Sequence, residues 1–239
     1  MLAPPPRPVG PSIWRLPDPA SIGDEDLVGF GGDLAPETLV DAYRRGIFPW
    51  PHEGTDLPWF SPDPRALLFA DTVHVSRSLR ARLRSCGWET TVDRAFGTVM
   101  AEGAVRPGSD GTWITDEMKA AYGRLHDLGW AHSVEVWGGD DGELVGGIYG
   151  VAVGRCFTGE SMFHRRTDGS KVALVDLCDR WQKAGGAFVD VQLPTRHLER
   201  MGAVPYSRAE FLSMLADVRD APARIVIDRR PVSRLAPAR

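Results

Sequence analysis

Asp190-Val191-Gln192 sets a carboxylate and a carboxamide two residues apart in a run, Ala187 to Leu193, that alternates as a strand does. In a strand both side chains leave one face, while Val189, Val191 and Leu193 leave the other. An acid beside an amide is a positioned hydrogen-bond pair: Asp orients Gln, and Gln contacts a reacting group. The plainer alternative is a buried structural network. A second acid, Glu160, lies in Phe157 to Phe163 among aromatic and thioether neighbours, where it would attract a cation. Its plainer alternative is an exposed strand carboxylate. Strict alternation puts Phe157 and Glu160 on opposite faces, whereas a bulge at Gly159 would bring both to one side.

Other patterns are less specific. Arg77, Arg80 and Arg84 fall at i, i+3 and i+7, one face of a basic helix spanning Ser76 to Cys86, with Arg82 off that face. An arginine face without interleaved acids suits phosphates, and the plainer alternative is a solvated surface helix. Leu79 and Leu83 point toward the core. Arg166-x-x-Gly169-x-Lys171 precedes a helix and partly matches the turn with which acetyltransferases of the GNAT class seat coenzyme A. The six histidines show no metal spacing, and no G-x-S-x-G, P-loop or H-E-x-x-H occurs.

These residues need elements to hold them. Val172 to Lys183 is a helix, and Ala187 to Leu193 the strand that carries the Asp-x-Gln pair. His132 to Trp137 and Glu143 to Val153 form a hairpin, with a bulge or close backbone approach at Gly146-Gly147. Thr115 caps a helix that stops at Gly129, and Ser207 caps a last helix to Val218. Pro36 opens an early helix and Gly46 closes it; Ala35 is a poor cap, for which Asp33 compensates. Phe48 to Pro51 and Pro58 to Arg65 are too proline-rich for helix and read as extended segments presenting aromatics. Met1 to Pro19 should be extended or poorly ordered, and Pro222 to Arg239 an irregular or mobile basic tail.

The bulk properties narrow the class. A net charge of −4 argues against a protein coated in positive charge for nucleic acid, but allows a local basic patch. Three cysteines without a C-x-x-C pair fit a reducing cytoplasm. No run approaches a membrane span, and no signal pattern opens the chain.

Six motifs together are specific: Gly31-Gly32-Asp33-Leu34, Tyr43 to Trp50, Ser61-Pro62-Asp63-Pro64-Arg65, Gly111 to Thr115, Gly159 to Phe163, and Asp190-Val191-Gln192. In this order and with similar gaps, from about Gly29 to Leu215, the chain closely resembles the leucyl/phenylalanyl-tRNA–protein transferase family. The resemblance implies an α+β protein. A small N-terminal domain with a Pro-rich leader (1–64) precedes a GNAT-like, acyltransferase domain (65–221), with a central mixed sheet flanked by helices. A basic tail (222–239) follows.

It also implies transfer of Leu or Phe, and less well Met, from aminoacyl-tRNA to the N-terminal α-amine of proteins starting with Lys or Arg. That product is an N-degron for proteolysis. The expected enzyme is a cytoplasmic monomer with no cofactor and no metal. Trp50 and Trp113 are implied to hold the terminal adenosine of the tRNA. Ile148, Phe157, Met162, Leu174, Leu177 and Trp181 are implied to line the aminoacyl pocket. Asp190 and Gln192 match the catalytic pair, and Glu160 with Asp190 the site of the peptide N-terminus. Arg77, Arg80, Arg82 and Arg84 fall in the tRNA-phosphate segment. Ile148, Leu177 and Trp181 depart from the residue types usual in that pocket, which bears on the Leu, Phe and Met preference. The rival readings are an acetyl-coenzyme A-dependent N-acetyltransferase and a non-catalytic RNA- or degron-binding adaptor.

Overall fold

The computed structural model describes residues 1–52, 54–105, 114–138 and 142–236. In chain order its elements begin with β1 (Leu27–Phe30), α1 (Pro36–Arg44), β2 (Phe48–Pro49) and β3 (Pro58–Phe60). There follow β4 (Arg65–Leu68), α2 (Arg77–Ser85), β5 (Glu89–Val92), α3 (Phe96–Ala104), α4 (Asp116–Asp127), β6 (Ala131–Gly138) and β7 (Glu143–Val153). The remainder is β8 (Cys156–His164), α5 (Gly169–Lys183), β9 (Phe188–Gln192), α6 (Arg196–Arg200), β10 (Val204–Tyr206), α7 (Arg208–Val218) and β11 (Arg230–Pro231).

A three-stranded antiparallel sheet, β1-β3-β2, forms a small N-terminal unit with α1. The proline-rich segments thus are strands, as short as their prolines force them to be. Trp59 is fully buried between them and Trp50 half-buried. The second sheet has eight strands in the order β10-β4-β9-β8-β7-β6-β5-β11. Its one parallel pair is β8 with β9, joined by the crossover helix α5; the other pairs are antiparallel. This is the expected α+β architecture: a small N-terminal unit, then a mixed sheet with helices on it.

Two apolar layers flank the large sheet. On one face Phe157, Ile148 and Val189 meet Leu174, Leu177 and Trp181 of α5 and Leu79 and Leu83 of α2. On the other, Tyr149 and Phe163 meet Tyr43 and Leu39 of α1, Val99 and Met100 of α3, and Tyr122 and Leu125 of α4. Arg77 and Arg84 stay exposed on the outer side of α2.

Local signals explain the element ends. Thr115 and Ser207 cap α4 and α7, the latter in a capping box with Glu210. Asp33 Oδ1 accepts from the Ala35 amide at 3.0 Å, supplying what Ala35 lacks at the start of α1. At Gly146, β7 meets the first turn of α5: a Cβ there would lie 2.5 Å from the Gly169 carbonyl carbon. The close approach expected from Gly146-Gly147 is therefore real, and it seats α5 on the sheet.

Both termini are tied to the body of the protein. Leu2 bridges to Val226, Ala3 and Ile225 are buried, and β11 pairs with β5 at the sheet edge. Arg234 pairs with Asp176 and Asp179 on α5, and Val232 is buried. Apolar residues spaced among the tail's arginines make it a strap across α5 rather than a mobile arm. No described helix is long and apolar enough to cross a membrane.

Candidate active site

β9 delivers the Asp-x-Gln pair to the parallel junction with β8. Thr158 lies opposite Asp190, and its hydroxyl donates to Asp190 Oδ2 at 3.2 Å. Arg65, at the start of β4, donates Nε to Oδ1 at 2.8 Å and Nη2 to Oδ2 at 2.6 Å. The Gln192 backbone N–H adds a bond to Oδ1 at 2.9 Å. Arg65 is 1% exposed and Asp190 0%. The guanidinium is held in turn by the Gly46 carbonyl and lies between the rings of Phe48 and Phe211. Asp190 thus has its lone pairs taken by protein donors and its charge matched by Arg65.

That clamp ends in an unusual backbone. Gln192 has φ of +63°, the left-handed region that an ordinary side chain rarely enters. Its N–H, tied to Asp190, helps hold it there. The Gln192 side chain then reaches across to β8, where Nε2 donates to Glu160 Oε1 at 3.0 Å. With Nε2 engaged, its carbonyl oxygen is the amide's acceptor end.

Glu160 sits on a bulge. Tyr149 pairs with Ser161 and Gly150 with Gly159, so Glu160 is the extra residue. The bulge follows Gly159 as expected, but it does not bring Phe157 and Glu160 together. Phe157 packs on Trp181 on the α5 face, at 5.6 Å between ring centres. Glu160 faces the tyrosines of the opposite face, accepting from the Tyr122 hydroxyl at 3.3 Å. Burial pushes its carboxyl up to about 7, against the pull of the Tyr43 hydroxyl; Asp190 raises it further, and Tyr122 and Arg65 oppose.

Glu160 and Gln192 border a cavity of about 360 Å³ with Phe48, Trp50, Met162 and Leu198. Trp50 faces His52 in a near-parallel stack and Phe60 edge-on. Beyond Trp50 lies a larger cavity of about 660 Å³, bordered by Asp33, His52, Leu57, Thr115 and Arg124. Trp113 lies outside the described residues. Of the six apolar residues expected to line the aminoacyl pocket, Met162 borders the smaller cavity. Ile148, Phe157, Leu174, Leu177 and Trp181 are packed with it in one buried cluster behind.

The basic helix is less uniform than its spacing. Arg82 lies over Trp88 and 3.9 Å from Asp168, and Arg80 is partly buried with no partner for Nε among the described residues. Asp168 also binds Lys171 at 2.7 Å, so a carboxylate stands at the N-terminal turn of α5.

Arg65, Tyr43 and Tyr122 received no site role from the sequence. Arg65 ends the Ser61-to-Arg65 motif, and a lone arginine after prolines gives no hint of a carboxylate 125 residues later. Tyr43 opens one of the family motifs, Tyr122 lies in none of them, and their meeting needs α1 and α4 packed on the sheet.

The family described as "Leucyl/phenylalanyl-tRNA protein transferase" matches residues 67–216, and the one described as its N-terminal domain matches residues 32–63. The solved structure titled "The structure of L-PGS from Bacillus licheniformis" is similar at TM-score 0.41 and 13% identity, covering 64% of this chain and 48% of that one. The protein named leucyl/phenylalanyl-tRNA–protein transferase from Stutzerimonas stutzeri is 54% identical, over 82% of this chain and 87% of its own. Its namesake from Thiobacillus denitrificans is 52% identical, over 85% of this chain and 89% of its own.

Proposed function

The chain belongs to the leucyl/phenylalanyl-tRNA–protein transferase family and is an aminoacyltransferase; we propose that it moves Leu, Phe and, less well, Met from aminoacyl-tRNA to the α-amine of proteins beginning with Lys or Arg. Such a product would mark its bearer for proteolysis in the cytoplasm. The observation that carries this reading is the Glu160–Gln192 pair, held by Arg65 through Asp190, on a cavity shared with Trp50.

An aminoacyl-tRNA is already an activated ester, so the protein's work is alignment, proton movement and oxyanion stabilisation. An α-amine titrates near ~8, leaving a neutral fraction at neutral pH. The Gln192 carbonyl oxygen receives an N–H of that amine and aims its lone pair at the ester. Asp190 is charge-matched by Arg65, so the carboxylate that draws a dicationic N-terminus into the cavity is Glu160.

On the donor side, Trp50 and Trp113 stack the terminal adenosine, at roughly 1–3 kcal/mol per base. The aminoacyl side chain enters past Met162, whose flexible thioether yields to it, toward Ile148, Phe157, Leu174, Leu177 and Trp181. An apolar pocket separates such side chains by only about 1–3 kcal/mol per methylene, hence the passage of Met. Arg77, Arg80, Arg82 and Arg84 receive tRNA phosphates.

The test is transfer of labelled Leu or Phe from charged tRNA to an Arg-initiated peptide without coenzyme A. The expected result is label in the peptide, abolished by RNase and much reduced with a Met-initiated peptide. Acetyl transfer from acetyl-coenzyme A, with none from charged tRNA, would overturn the reading.

A further inference from the structure

Glu160 is held by more than Gln192. Tyr122, on α4, donates its hydroxyl to Oε2, and its oxygen lies 2.5 Å from that of Tyr43, on α1. A tyrosine hydroxyl has one proton. Since Tyr122 gives its own to Glu160, Tyr43 must donate to Tyr122. Both rings are buried, so the chain of hydroxyls is shielded from water and polarised toward the carboxylate. Oε1 meanwhile takes the Gln192 amide. Donors on both oxygens fix the plane of the carboxylate and favour its ionised form. A carboxylate that served only to attract cations from the cavity would need none of this.

Resting on the function proposed above, we propose that Glu160 is the proton acceptor for the attacking α-amine, and that Tyr43 and Tyr122 are positioning residues that keep its carboxylate ionised beside Gln192. The amine nitrogen bonds to the ester carbonyl carbon, and the bond from that carbon to the ribose oxygen breaks. The proton lost by nitrogen passes to a Glu160 oxygen and then to the departing ribose oxygen, which regenerates the carboxylate. Tyr43 comes from the small N-terminal unit, so that unit completes the hydroxyl chain that ends on Glu160.

The groups facing Glu160 are Tyr43, Tyr122, Tyr149 of β7, Arg65 of β4, and Asp190 and Gln192 of β9. Burial first, and then the Glu160 charge, hold Tyr122 and Tyr149 well above the ordinary tyrosine value, so both stay neutral donors. A carboxyl at about 7 facing an amine near ~8 makes the proton transfer nearly balanced. The Tyr149 hydroxyl has no hydrogen-bond partner among the described residues and serves as the internal control.

Tyr122→Phe and Tyr43→Phe each remove a hydroxyl and keep the ring. The acidic limb of the kcat/KM profile for transfer is expected to move up by about half a unit to one unit in each. The infrared titration of the Glu160 carboxyl, identified by its loss in Glu160→Gln, should move with it. Tyr149→Phe should move neither. A uniform loss of rate in both tyrosine variants, with limb and infrared titration unmoved, would make the tyrosines structural and overturn the proposal. Wild-type rates in Glu160→Gln would overturn the acceptor role. If the wild-type chain transfers nothing from charged tRNA, the functional reading fails and the acceptor role with it. In that case the infrared titration still decides whether the tyrosines hold Glu160 ionised.

Discussion

Arg65 and Asp190 face each other through two hydrogen bonds, of 2.8 and 2.6 Å, and neither side chain reaches solvent. The pair joins the first strand of the large sheet to the strand that carries Gln192. It explains how a glutamine is held in a left-handed conformation at the rim of a cavity. Removing one partner leaves an uncompensated buried charge, which costs about 3–5 kcal/mol. Urea unfolding should show a loss of that order both for Arg65→Met and for Asp190→Asn, which strands a guanidinium that cannot shed its charge. The double variant Arg65→Met/Asp190→Leu should lose less than the sum of the losses in Arg65→Met and Asp190→Leu alone.

Glu160 makes stability fall as pH rises. Its carboxyl is raised from 4.5 to about 7 in the fold, so the folded chain binds the extra proton between those values. The contribution is fully present below pH ~4.5 and is lost as pH rises through ~7, a span worth roughly 3 kcal/mol. Thermal unfolding from pH 5 to 8 should show Glu160→Gln gaining stability relative to wild type toward pH 8. A constant difference between the two across that range would refute the burial argument.

Gly146 admits no side chain. A methyl group there would meet the Gly169 carbonyl carbon at 2.5 Å, and backbone cannot swing aside as a side-chain end can. Gly146→Ala should lose about 1–3 kcal/mol, as overpacked sites do, and loosen the first turn of α5. Hydrogen exchange at Val172 and Ala173 would speed up; unchanged protection and stability would contradict the close packing.

The arginines of α2 should differ. Removing one arginine–phosphate ion pair lowers the slope of log affinity against log salt by somewhat under ~1 unit. Arg77→Ala should flatten the slope for tRNA binding. Arg82→Ala should do so less, because Arg82 already stands near Asp168 and over Trp88. Equal slopes in wild type and Arg77→Ala would remove this helix from the tRNA path.

Much of this was legible in the residues because it depends on short-range rules. A period of two put Asp190 and Gln192 on one face, Gly159 marked the bulge, and Gly146-Gly147 marked the close approach. Proline density read Phe48 to Pro51 and Pro58 to Arg65 as extended, and Leu79 and Leu83 marked the buried side of α2. What stayed hidden depends on long-range meetings. Arg65 finds Asp190 only once β4 pairs with β9. Tyr43 and Tyr122 meet only because α1 and α4 lie on the same face of the sheet. The positive φ of Gln192 has no sequence signal, since glutamine is not a residue that favours it. The tail's docking was masked by its prolines and arginines, although Val226, Val232 and Leu235 supply the apolar packing.

The central claim is that Gln192 aligns the amine for attack on the ester. The direct measurement is the single-turnover rate of Leu transfer to an Arg-initiated peptide, with both substrates saturating, in wild type and Gln192→Ala. Binding of charged tRNA is measured alongside. The account predicts a fall of about a hundredfold or more in rate, as loss of an alignment group gives, with tRNA affinity within about twofold. An unchanged single-turnover rate in Gln192→Ala would contradict it.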